Sequence, residues 1–147
     1  SKVFIVHGHD EAAQQAVARF VEKTGLEAII LHEQANLGQT IIEKIEANTN
    51  VGFGIVLYTP CDLGRSKEEK DQLKPRARQN VVFEHGYLMG KIGRENVCAL
   101  VKGDIEKPTD ISGVVYIPMD EGDGWKLAVA KEMKKSGYGV DFNKILG

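Results

Sequence analysis

Five short, nearly unbroken apolar runs limit what this chain can become: Val3 to Val6, Ala28 to Leu31, Phe53 to Tyr58, Val97 to Val101 and Val114 to Ile117. Apolar runs of this length without alternation are the pattern of parallel strands covered on both faces. Segments of helical period separate them. Asp10 is placed to cap a helix whose inner face is Ala13, Val17, Phe20 and Val21, ending near Gly25. Thr40 and Glu43 form a capping-box pattern ahead of Ile41, Ile42 and Ile45. Pro75 reads as the first turn of a third helix, with Val81, Val82, Leu88, Met89 and Ile92 as its apolar face and Gly93 as its stop. A last helix carries Trp125, Val129, Ala130 and Met133. Strand and helix in alternation predict an α/β doubly wound fold, with a flavodoxin-like five-stranded parallel sheet in the order 2-1-3-4-5 and helices on both faces.

The chain has 147 residues, enough for a single domain with one core, and no internal repeat or low-complexity linker divides it. With 19 Lys and Arg against 21 Asp and Glu the formal charge is −2, which argues against a nucleic-acid partner. No apolar run reaches the ~18 residues of a membrane span, and the start lacks the features of a signal peptide, so the expected location is cytoplasmic. Cys61 and Cys98 lie far apart and read as free thiols. The absence of an initiator methionine before Ser1 is read as a domain cut from a longer chain. Between Pro60 and Lys74, fifteen residues carry eight charges, read as either a lid or a solvated excursion.

Ligands of such folds bind beyond the carboxyl ends of the strands, where His7-Gly8-His9-Asp10, His32 to Gly38, Thr59 to Lys74 and the start of the third helix converge. If the third helix begins at Pro75, Arg76, Asn80, Glu84 and Leu88 form one ridge four residues apart. Glu84 then borders the apolar stripe, either as a boundary carboxylate bonded to a loop or as a functional group. His85 points closer to the centre of that stripe, as a core histidine. The helix start with Arg76 and Arg78 offers positive potential to a phosphate or pyrophosphate, unless the acidic loop takes up both arginines. His7, His9, His32 and Glu33 raise a metal site, although their spacing matches no ligand motif, and a metal-dependent nucleotide hydrolase using His7, His9 and His32 is a further reading. A lone Gly8 is no GxGxxG, strand three supplies no phospho-accepting Asp, and GxSxG, P-loop and HExxH patterns are absent.

Val3-Phe4-Ile5-Val6-His7-Gly8, Leu31-His32-Glu33-Gln34, Thr40-Ile41-Ile42-Glu43-Lys44, Pro75-Arg76-Ala77-Arg78-Gln79-Asn80-Val81-Val82-Phe83-Glu84, Val101-Lys102-Gly103 and Trp125-Lys126-Leu127 follow one another in an order that resembles a known family. They look like the prokaryotic TIR-like domains of anti-phage effectors gated by cyclic nucleotides, of TIR-STING, CBASS and Pycsar type. The resemblance implies the flavodoxin-like TIR fold and cleavage of NAD, as substrate rather than cofactor, to nicotinamide and ADP-ribose products. It implies Glu84 as the catalytic residue. Many such domains carry Trp four residues before that Glu, where this chain has Asn80.

Nicotinamide leaves NAD as a neutral ring, so a single carboxylate that stabilises an oxocarbenium-like ribose suffices. Substrate contacts are expected from His7, Gly8, Asp10, Arg76, Arg78 and Asn80. The resemblance further implies that Glu33, Gln34, Ala35, Asn36, Leu37 and Gly38 form the BB loop of head-to-tail TIR–TIR assembly, under control of a sensor domain in the full-length chain. A self-associating scaffold without turnover is the alternative. No metal is assigned.

Overall fold

The computed structural model describes residues 2–31, 40–68, 72–108 and 113–146. Five parallel strands form the central sheet: β1 (Lys2–Val6), β2 (Glu27–Leu31), β3 (Gly54–Tyr58), β6 (Val97–Val101) and β7 (Val115–Pro118). Their order is β2-β1-β3-β6-β7. Counted over the sheet strands alone, this is the expected 2-1-3-4-5.

Neighbouring residues along each strand serve opposite faces. Val3 and Ile5 of β1, Ile55 and Leu57 of β3, and Cys98 and Leu100 of β6 pack under α1 (Glu11–Lys23), α4 (Gly124–Lys135) and α5 (Phe142–Leu146). Phe4, Val6, Val56, Tyr58 and Ala99 face α2 (Ile41–Ala47) and α3 (Gln79–Ile92). With both faces dry the strands need apolar side chains at every position, which is why the runs are unbroken.

Local chemistry sets the helix ends. Asp10 Oδ1 accepts the Ala13 N–H at 3.0 Å at the start of α1, and Thr40 Oγ1 accepts the Glu43 N–H at 3.1 Å at the start of α2. Gly25 and Gly93, at φ +89° and +93°, turn the chain after α1 and α3 through backbone conformations that side chains resist. The helix carrying Trp125, Val129, Ala130 and Met133 is α4, and the short α5 follows it.

Two expectations fail around Pro75. The charged segment after β3 contains β4 (Asp62–Gly64), which pairs antiparallel with β5 (Lys74–Arg76). Pro75 therefore lies in a two-stranded ribbon opposite Leu63, not in the first turn of a helix, and α3 starts at Gln79. A proline is tolerated in an edge strand, and it drives the preceding Lys74 toward extended backbone. Arg76 thus leaves the ridge of Asn80, Glu84 and Leu88. The ribbon is tied to the chain after β6, because the Glu106 N–H donates to the Pro75 carbonyl at 2.8 Å.

Candidate active site

The loop after β1 is held from three sides at the carboxyl edge of the sheet. His7, buried, donates Nδ1–H to the Gly8 carbonyl at 2.8 Å. A Cβ on Gly8 would lie 2.8 Å from Cys61 Sγ and within 4 Å of Val81 and Arg78, so only glycine lets this loop close against α3. Cys61 Sγ receives the His9 N–H at 3.4 Å and stands 3.1 Å from Thr59 Oγ1. Arg78 donates to His9 Nε2 at 2.6 Å.

Asp10 uses both carboxylate oxygens. One caps α1, and the other receives Lys102 Nζ at 2.6 Å from the end of β6. The Lys102 hydrogen bond and the α1 cap together lower its pKa. Asp10 was expected among the substrate contacts; its observed work is to tie the loop after β1 to β6. Lys102 was missed as a site residue, since its partner lies 92 positions away. Cys61 was missed as well, having been read only as a free thiol.

Glu84 sits on the second turn of α3 with 5% of its surface exposed, on the buried face shared with Val81, His85 and Leu88. Leu88 Cδ1 would stand 3.1 Å from a Cβ at Gly54, so the small residue there lets α3 lie close to β3. A helix advances about 100° per residue. On that wheel Glu84 and Tyr87 share a flank, and the Tyr87 hydroxyl donates to Glu46 of α2 at 2.9 Å. Gln79 and Val82 occupy the other flank, where they line a pocket with Arg76, Ala77, Glu106, Lys107 and Pro108. Arg76 and Glu84 are therefore on opposite flanks of α3. The cations beside Gly8 and Asp10 are Arg78 and Lys102. Asn80 is exposed on the first turn of α3.

His85 is the core histidine expected, 2% exposed, with its pKa pushed down to about 4 by burial. The Tyr58 hydroxyl and His85 Nδ1 share a hydrogen bond at 2.8 Å. Tyr116 stands edge-on to Tyr58, with ring centroids 5.7 Å apart, and its hydroxyl donates to the Pro108 carbonyl at 2.9 Å. Burial keeps the imidazole neutral.

His32 and the BB-loop residues Glu33, Gln34, Ala35, Asn36, Leu37 and Gly38 lie outside the described residues. Among the described residues, no group of three His, Cys, Asp or Glu side chains is placed to hold a metal ion, and no helix is long and apolar enough to cross a membrane.

The model of the TIR domain of CAP12/Pycsar effector proteins matches residues 2–121. The chain belongs to that family. This TIR domain is 50% identical over 146 residues to the uncharacterized protein YuaY of Escherichia coli strain K12, covering 99% of the chain and 48% of YuaY. It is 41% identical over 130 residues to protein tirC of Dictyostelium discoideum, covering 82% of the chain and 65% of that protein. The TIR domain thus spans roughly half to two thirds of the length of these relatives.

Proposed function

We propose that this TIR domain is an NAD glycohydrolase, the effector part of an anti-phage protein that is switched on when copies assemble. The observation that carries the reading is Glu84, a carboxylate almost wholly buried on the second turn of α3 in a domain of this family. Burying a carboxylate is costly, and buried acids concentrate at functional sites.

The N-glycosidic bond breaks with its electron pair passing to the pyridinium nitrogen, and neutral nicotinamide departs. Glu84 stabilises the positive charge that develops on the ribose, and water then adds at the anomeric carbon and loses a proton. Arg78 and Lys102 supply positive charge at the sheet edge for the pyrophosphate, with His7 and Gly8 bordering the pocket. Asp10 acts through Lys102 and the α1 cap rather than through the substrate.

Assembly through the BB loop makes turnover rise with protein concentration, and a sensor elsewhere in the full-length protein supplies the trigger. The test is nicotinamide release from NAD by concentrated or crowded protein, with Glu84→Ala alongside. Release by the unaltered domain alone supports the reading, and equal release by both sinks the role of Glu84.

A non-catalytic self-association scaffold is the second reading. It is favoured by the exposed apolar side chains Phe83 on α3 and Leu63 and Leu73 at the ribbon. Concentration-dependent assembly without nicotinamide release would select it.

A further inference from the structure

The pocket on the far flank of α3 has a volume of about 300 Å³, near the lower bound of small-ligand sites. It is lined by the apolar Ala77, Val82 and Pro108 and by Arg76, Lys107, Gln79 and Glu106. Two features give this rim its positive charge.

First, the Arg76 guanidinium is held flat against Gly64. A Cβ at Gly64 would collide with its central carbon and Nε, so the arginine occupies space that any other residue would fill. Its Nε is buried and has no hydrogen-bond partner among the described residues. That nitrogen has no surface open to a ligand, so an anion meets the outer guanidinium nitrogens of a side chain that is 28% exposed. Glu106 is the loose ion-pair partner there, its carboxylate 4.0 Å from Nη2 and itself half exposed.

Second, Lys107 brings a further cation to the same rim, its ammonium 5.7 Å from the Tyr116 ring centroid, so the rim has a net positive charge. The adjoining start of α3 has no side-chain cap, which leaves its positive end to an added anion.

We infer that this pocket binds a phosphate ester of mononucleotide size, separately from the Glu84 site. The ring lies on Ala77, Val82 and Pro108, the phosphate meets Arg76 and Lys107, and Glu106 accepts a hydrogen bond from a sugar hydroxyl or ring amine. The inference does not depend on NAD cleavage, because the two flanks of α3 face different neighbours.

AMP is the probe, titrated against the intact domain by calorimetry, with adenosine and inorganic phosphate as half-ligands. AMP is expected to bind at least tenfold more tightly than either half-ligand. Arg76→Gln and Lys107→Gln should each weaken it several-fold or more. Gly64→Ala should do the same without touching the pocket wall, by displacing the guanidinium, and Glu84→Gln should leave AMP binding unchanged. Melting curves identify any variant that fails to fold, and Lys107→Gln, at a half-buried side chain, keeps the test alive if the others do. Undiminished AMP binding in the folded variants, or no AMP binding at millimolar concentration, would overturn the site. One-for-one displacement of AMP by NAD that is lost in Glu84→Gln would also overturn it, by merging the pocket with the substrate site.

Discussion

Asp10 and Lys102 meet at 2.6 Å across the carboxyl edge of the sheet, and the same carboxylate caps α1. One side chain thereby sets the start of a helix and the distance between the ends of two strands. Asp10→Ala is expected to cost about 1–2 kcal/mol, most of it from the lost cap. Lys102→Ala is expected to cost about 0–1 kcal/mol, because the pair is partly exposed and screened. The Asp10 pKa is lowered, so its contribution is present above the unfolded value near 3.8 and is lost as the pH falls below it. Urea denaturation of both variants checks the ranking. A larger loss from Lys102→Ala than from Asp10→Ala would contradict it.

The imidazole of His85 is buried neutral, at a pKa of about 4 against an ordinary 6.5. Between those values the unfolded chain binds a proton that the folded chain refuses, so stability falls as the pH drops from 6.5 toward 4 and this loss is complete below 4. The full shift corresponds to a loss on the order of 3 kcal/mol. Stability measured across that window should fall by about one proton's worth more steeply in the unaltered domain than in His85→Gln. Equal slopes would remove His85 from the acid sensitivity of the fold.

Gly8 has room for hydrogen alone. Gly8→Ala sets a methyl 2.8 Å from Cys61 Sγ, an overpacking expected to cost about 1–3 kcal/mol. Cys61→Ala removes the sulfur, so the double variant should recover much of that loss, a coupling between neighbours of about 0.5–3 kcal/mol. Additive losses would show that the loop after β1 resists the alanine for some other reason.

The elements legible in the sequence are those fixed by local chemistry or by burial on two faces. The five apolar runs had to be strands of a covered sheet, and Asp10 and Thr40 could be read as caps because each bonds to a backbone amide three residues on. The exposed ribbon was not legible, because Leu63 pairs with Pro75 across a charged segment and Pro75 satisfies a helix start equally well. Its one sequence signal was Lys74, which the following proline pushes to extended backbone.

Placing Arg76 on the helix put it on the wrong flank of Glu84. The carboxylate itself was legible at the margin of the apolar stripe, and the fold buries it further than the pattern implied. Lys102 was hidden because the partner that gives it a role is distant in sequence.

The most direct measurement is the rate of nicotinamide release from NAD at high protein concentration, by the unaltered domain and by Glu84→Gln with a matched melting curve. The glutamine keeps the shape and removes the charge, so a loss of about 10²-fold or more is expected. Equal rates in two equally folded proteins would contradict catalysis by Glu84.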